Sequence, residues 1–318
     1  MKLISPCLLA LVIGCGTSVS PDPGDLPGED TEDPGPGAGG PGPGTPVAPE
    51  ACTKMDIVFV VDDSGSMSEE QSNLASNFPT FFNVIDNHVN SDGVPTDYRI
   101  AVTTTGRDVD YTVKVPPPFG LELPMSEDGD NGAFRKTSSM TAPWIQRGDA
   151  NPQSTFASLA NVGTGGPSLE MPLYSLQLAL TDRVQDGTNK NFLRDDALLA
   201  VVVLTDEDDC SRSDNNFEIE SDQCDPGDST FMGTNESLAF LDNVKGARGR
   251  WATAVIAGPN DCESNFGSAY QADRLMNFVS QTGENGSFSS ICDGDLTTAL
   301  EAALENFDAA CNAFPPVE

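Results

Sequence analysis

The sequence predicts an α/β fold: a doubly wound, mostly parallel sheet flanked by helices, with two surface insertions. Apolar, β-branched runs alternate with stretches of helical spacing along most of the chain. That alternation builds a parallel sheet covered on both faces. The runs are continuously apolar, which suits strands buried on both sides. Short stretches rich in acids and hydroxyls follow two of these runs directly. Open parallel sheets bind ligands at that place, beyond the carboxyl ends of their strands.

Asp56 to Val61 reads D-I-V-F-V-V and is the first strand. Met67 to Val89 has helical spacing, with Leu74, Phe78, Phe81, Phe82, Val84 and Ile85 on its apolar side. Pro79 marks a kink or a break in it. Tyr98 to Thr103 is a second strand, and Met171 to Leu180 is a helix with Pro172 in its first turn. Ala197 to Leu204, A-L-L-A-V-V-V-L, is the strongest strand signal. A helical stretch around Leu238 to Val244 precedes a strand at Trp251 to Ala257. A helix at Ala269 to Val279, a short strand at Phe288 to Ile291 and a closing helix at Leu296 to Phe307 complete the pattern. The rhythm breaks at about 106–160 and again at about 207–235, which read as surface insertions, the first with room for a small hairpin. Its acidic turn, Glu127 to Gly132, does not match a calcium loop, because Gly132 falls where a ligand is needed.

The chain has 318 residues with 16 Lys and Arg against 49 Asp and Glu, a net charge of −33. Such a chain repels nucleic acid and anionic lipid. Its one histidine, His88, excludes sites that need two imidazoles.

Residues 1–14 read as a signal peptide: Lys2, then the apolar run Leu3 to Ile13, too short to span a bilayer. The run ends Val12-Ile13-Gly14-Cys15, which resembles a bacterial lipobox with Cys15 as the lipidated residue. By the same resemblance, Gly16 in place of Asp favours the outer membrane. The expected membrane contact is through this lipid alone. Residues 15–50 are dominated by Pro, Gly, Asp and Glu, with no Lys, Arg or aromatic residue. They cannot bury enough apolar surface to fold. Their reach lies between roughly 30 Å as a coil and roughly 110 Å as a polyproline rod. The folded domain is 51–318.

Beyond Cys7 and Cys15 stand Cys52, Cys210, Cys224, Cys262, Cys292 and Cys311. An even number in an exported chain points to disulfides, though spacing alone fixes no pairing. The expected pairs are Cys52–Cys311, Cys210–Cys224 and Cys262–Cys292. The first joins the domain's two ends and the second closes a short polar loop.

Asp62, Ser64 and Ser66 form a D-x-S-x-S pattern after the first strand, with Gly65 allowing a tight turn. One carboxylate and two hydroxyls on alternate residues can face a common point. These hard oxygen donors suit Mg²⁺, Mn²⁺ or Ca²⁺ and not zinc. Thr205-Asp206-Glu207-Asp208-Asp209 follows the Ala197–Leu204 strand. A helix-capping turn is the plainer use of D-x-S-x-S, but its place between a buried strand and an amphipathic helix favours a site.

D-I-V-F-V-V-D-D-S-G-S-M resembles the opening strand of a von Willebrand factor type A domain, a family with a metal-ion-dependent adhesion site. In that resemblance Thr164, in Gly163-Thr164-Gly165-Gly166, takes the part of a threonine in a loop before a helix. Asp206 takes the part of an aspartate after a later strand, with Glu207 replacing the usual glycine. The implied metal ligands are Asp62, Ser64, Ser66, Thr164 and Asp206. The implied chemistry is a divalent cation left with an open position, which a partner's carboxylate fills.

These readings predict a membrane-anchored, metal-dependent binding module, not an enzyme. Its partner is a protein or surface ligand presenting a carboxylate, in adhesion or envelope assembly. The alternative is an envelope lipoprotein whose metal only stabilises the fold. A metal-assisted hydrolase using Asp62 and Asp206 lacks a base or nucleophile, since no G-x-S-x-G elbow is present and His88 falls late in the first helix.

Overall fold

The computed structural model describes residues 52–90, 93–220, 230–264, 267–294 and 296–315. Residues 1–14, Cys15, the 15–50 segment and Cys224 lie outside them, as do the side chains of Leu74, Phe78 and Phe81.

The main sheet has β1 (Lys54–Val61), β2 (Asp97–Thr104), β5 (Ile145–Gln146), β6 (Leu198–Leu204), β8 (Trp251–Ala257) and β11 (Gly286–Ser290). Their order is β11-β8-β6-β1-β2-β5. All neighbours are parallel except β5, which pairs antiparallel with β2. Within the two central strands β1 and β6, Asp56 alone carries a buried charged side chain. That carboxylate is fully buried and receives the Arg194 backbone N–H and guanidinium at 2.6 and 2.8 Å.

Successive residues of β1 face opposite sides. Ile57, Phe59 and Val61 pack with Phe82 and Ile85 of α1 (Ser68–Asn87), Phe156 and Leu159 of α2 (Pro152–Ala160), and Leu300, Leu304 and Phe307 of a closing helix at Leu296–Asn312. Val58 and Val60 pack with Leu173 and Leu176 of α3 (Pro172–Leu180), Leu238 and Leu241 of a helix at Thr234–Lys245, and Leu275 and Phe278 of a helix at Asp273–Thr282. Each such fully buried aliphatic side chain contributes about 1.5–3 kcal/mol. A short helix, α4 (Asp182–Gln185), follows α3, so the later helices are α5 (Thr234–Lys245), α6 (Asp273–Thr282) and α7 (Leu296–Asn312).

Several sequence expectations are corrected. The helix at Met67–Val89 runs through Pro79 without a break, as α1. The helix expected from Ala269 begins at Asp273, because Gly267–Ala269 forms β10, paired antiparallel with β9 (Cys262–Ser264). The first insertion is shorter than about 106–160, since β5 and α2 belong to the domain body. The rest forms a hairpin, β3 (Val109–Val115) and β4 (Leu121–Glu127). The second insertion adds β7 (Phe217–Ile219) to it, so both build one small sheet of order β4-β3-β7. Tyr111 stacks on Phe217 at 5.7 Å where the two meet.

Cys52 is disulfide-bonded to Cys311, and Cys262 to Cys292, as expected. Cys210 is also disulfide-bonded. Both described bridges hold α7: Cys311 lies in its last turn and Cys292 just before its start. No helix among the described residues is long and apolar enough to cross a membrane.

Candidate functional site

Strands β1 and β6 are central neighbours, and the chain crosses to opposite sides of the sheet after each. Their carboxyl ends therefore open a crevice where the strand order reverses. Both ends are pinned by the backbone: Asp62 N–H donates to Leu204 O at 2.9 Å and Thr205 N–H to Ile256 O at 3.2 Å. Asp62 emerges fully buried from β1. One of its oxygens accepts the Ser64 N–H at 2.8 Å, closing a tight turn, and the other accepts the Thr205 hydroxyl at 2.6 Å. A 3-10 turn at Gly65–Met67 then leads into α1. It places the Ser66 hydroxyl 2.9 Å from that of Ser64 and 3.2 Å from Asp206 Oδ1. Gln71, one turn into α1, donates to Asp62 O and fixes the loop from behind.

The structure thus brings Asp62, Ser64, Ser66 and Asp206 into one hydrogen-bonded group. Thr164 lies in the neighbouring loop. Gly166 N–H donates to Asp63 O at 2.7 Å, which ties that loop to the D-x-S-x-S turn. A Cβ on Gly166 would lie 2.3 Å from Asp63 Cγ, so the approach needs glycine. Thr164 itself is exposed, and its side chain has no hydrogen bond to the group among the described residues.

Two residues that adjoin Asp62 were not singled out from the sequence. Thr205 holds Asp62, as above. Glu170, just before α3, is fully buried beside Asp62 and accepts the Thr105 hydroxyl. Nothing local marks Glu170, because its partners come from the ends of β1 and β2. Asp208 and Asp209 face the start of α6. Asp208 accepts the Arg274 and Leu275 N–H groups at the start of α6, and Asp209 pairs with Arg274 at 3.1 Å. Asp130 of the acidic turn pairs with Arg135. His88 is half-buried rather than a free surface residue, between Thr96 and Asp308. It follows a 20-residue helix that begins at the site, which puts it about 30 Å away along the axis.

Five buried carboxylates crowd this end of the sheet: Asp62, Asp63, Glu70, Glu170 and Asp206. Among the described residues none of them forms an ion pair. Burial raises the Asp62 carboxyl. Burial, then the Asp62 charge, holds Glu170 well above the usual range. Asp206 is pushed up to about 8 by burial and by Asp62, Glu70 and Glu207. Asp63 rises to about 7 through burial, Asp130 and Asp62. A carboxylate group this deep, with no ion pair among the described residues, fits a hard divalent cation. Among the described residues no three His, Cys, Asp or Glu side chains are placed to hold a metal by themselves. A cation held here would need the serine hydroxyls among its donors. A cleft of about 560 Å³ opens beside Ser66 and Asp206, walled by Glu207, Asp261, Glu263 and Tyr270.

No protein-family model matches the chain, and no curated protein matches it. Solved structures similar to it include proximal thread matrix protein 1 of the mussel byssus with a zinc-occupied MIDAS motif, at 14% identity and TM-score 0.41 over 83% of this chain and 47% of that one. The pilus adhesin SpaC of Lactobacillus rhamnosus GG matches at 14% identity and TM-score 0.43, over 84% and 32%. Manganese-loaded TRAP of Plasmodium vivax matches at 11% identity and TM-score 0.35, over 80% and 74%. The chain spans less than half the length of the first two. The D-x-S-x-S turn and Asp206 are joined at the crevice of a mostly parallel sheet, with the Thr164 loop tied beside them, and the chain is an α/β domain of Rossmann-like architecture with helices on both faces of that sheet.

Proposed function

We propose that the chain is an exported, lipid-anchored binding module that engages a protein or surface ligand through a divalent cation. One observation carries the reading: Asp62, Glu170 and Asp206 are buried beside the Ser64 and Ser66 hydroxyls with no basic partner among the described residues. Asp62, Ser64, Ser66 and Asp206 would hold the ion, Mg²⁺, Mn²⁺ or Ca²⁺, with Glu170 adjacent and Thr164 supplied by its loop. The cation would offer an open, electrophilic position to a partner's carboxylate.

The protein's own part is to fix those oxygens. Thr205 and the Ser64 N–H hold Asp62 in one orientation. Ser66 is exposed, so the group opens to solvent on its side. The acidic cleft walls repel a free carboxylate, so ligand binding depends on the cation. The position of His88, the chain's one histidine, at the far end of α1 supports binding over catalysis. Export, lipidation at Cys15 and an outer-membrane address rest on the sequence pattern.

An array of Asp- and Glu-containing peptides, probed in Mg²⁺ and in chelator, tests the ligand class. Binding should need the metal and vanish when the peptide acid becomes an amide. A metal that raises melting temperature while no peptide binds would favour the purely stabilising role. The mass of the chain isolated from cells tests acylation of Cys15.

A further inference from the structure

We propose that the tip of the β3–β4 hairpin inserts into the interface of a phospholipid bilayer. The proposal stands on the hairpin and is independent of the metal site. Phe119 is 71% exposed, Leu121 53%, Leu123 45% and Met125 38%. The register sets Leu121, Leu123 and Met125 opposite Val115, Val113 and Tyr111, so all share one face of the hairpin. The base of that face is packed: Val109 and Tyr111 are buried with Leu169, Met171 and Phe217. Its outer part, along Leu121, Leu123 and Met125, is exposed. The opposite face carries Glu122 and the Lys114–Glu218 ion pair, which stay in water. The hairpin is therefore amphipathic in a fixed sense.

The turn is unusually cheap to dehydrate. Val115 to Leu121 reads V-P-P-P-F-G-L, without a charge or a hydrogen-bonding side chain. Three prolines bring no N–H. Gly120 N–H donates to Pro116 O, and Val115 and Leu121 face each other across the ladder. Few backbone donors remain to lose water. That property matters in lipid, which offers no hydrogen bonds in return. A protein surface could satisfy such groups and would not require their absence.

The net charge of −33 disfavours anionic lipid, so the occupant is a zwitterionic surface. The chain outside the fold gives the means. If Cys15 carries lipid, the segment up to Cys52 reaches at most roughly 110 Å. The bilayer is then held within that reach of the domain, and a weak apolar contact adds to the first anchor.

The test uses the full chain with Cys15→Ser, so that no attached lipid contributes. Phosphatidylcholine vesicles with acyl chains brominated near the headgroup serve as probe and quencher. The emission added by Phe119→Trp should shift to the blue and be quenched, while that of Trp144 and Trp251 in the parent is unchanged. A Phe119→Ser/Leu121→Ser variant should float with the vesicles several-fold less than the parent, with an unaltered circular dichroism spectrum. Unquenched emission, or equal flotation of parent and variant, would overturn the proposal and leave the apolar face to a protein partner. Neither result bears on acylation of Cys15, which the chain's mass decides.

Discussion

The Thr205 hydroxyl donates to Asp62 Oδ2 at 2.6 Å, joining residues 143 apart in sequence at the ends of the two central strands. This bond orients the most deeply buried carboxylate of the site. Thr205→Val keeps the shape and removes the donor. It should cost about 1–3 kcal/mol in urea unfolding, because a buried acceptor loses its partner. It should also weaken cation binding by misorienting Asp62. Unchanged affinity would mean that Asp62 is not a ligand or is held by the Ser64 N–H alone.

Neutralising the site should stabilise the metal-free protein. Asp206 is buried, and its carboxyl is raised to about 8 by burial and neighbouring acids. Its folded value lies above the unfolded one, so its charge costs stability as pH rises from about 4 to about 8. In chelator at neutral pH, Asp206→Asn should melt higher, by on the order of 2 kcal/mol. In Mg²⁺ the order should reverse, since only the wild type gains ligand stabilisation. A variant less stable than wild type in chelator would contradict this.

Lys245 gives a pH dependence remote from the site. It is buried and donates to Arg194 O at 2.7 Å, and burial lowers its ammonium from 10.5 to about 8. Between those values the unfolded chain holds the proton and the folded chain does not. Stability should therefore rise with pH across that window, by about 3 kcal/mol from this group. Lys245→Met should flatten that rise and be the more stable protein at pH 7. Urea midpoints of both proteins from pH 7 to 10 would check it.

The two described disulfides should differ in weight. Cys52–Cys311 spans 259 residues and Cys262–Cys292 spans 30. Loop-closure entropy assigns about 5.6 kcal/mol to the first and about 3.6 to the second. Paired Cys→Ser variants should unfold in that order. Opening the second also frees the β9–β10 wall of the cleft beside Ser66.

Much of this was legible because it was local. Continuous apolar runs placed β1, β2, β6 and β8, and the D-x-S-x-S turn identified Asp62, Ser64 and Ser66 as neighbours. Asp206 could be placed because it follows a buried strand. Glu170 was not legible, because its environment is made by Thr105 and Asp62 from other elements. Residues Val109, Tyr111, Val113 and Val115 do alternate as a strand should. Their partners did not announce themselves: β4 contains Pro124 and β7 has three residues. The joining of two distant insertions into one sheet is a tertiary fact that neither segment carries alone.

Calorimetric titration of Mg²⁺, Mn²⁺ and Ca²⁺ into the disulfide-bonded protein tests the central claim most directly. Asp62→Ala and Thr164→Ala would run alongside, with folding checked by circular dichroism. The expected result is saturable binding near one equivalent in the wild type, abolished by Asp62→Ala and weakened by Thr164→Ala. A folded wild-type protein that binds none of the three cations, or that binds equally well without the Asp62 carboxylate, would contradict it.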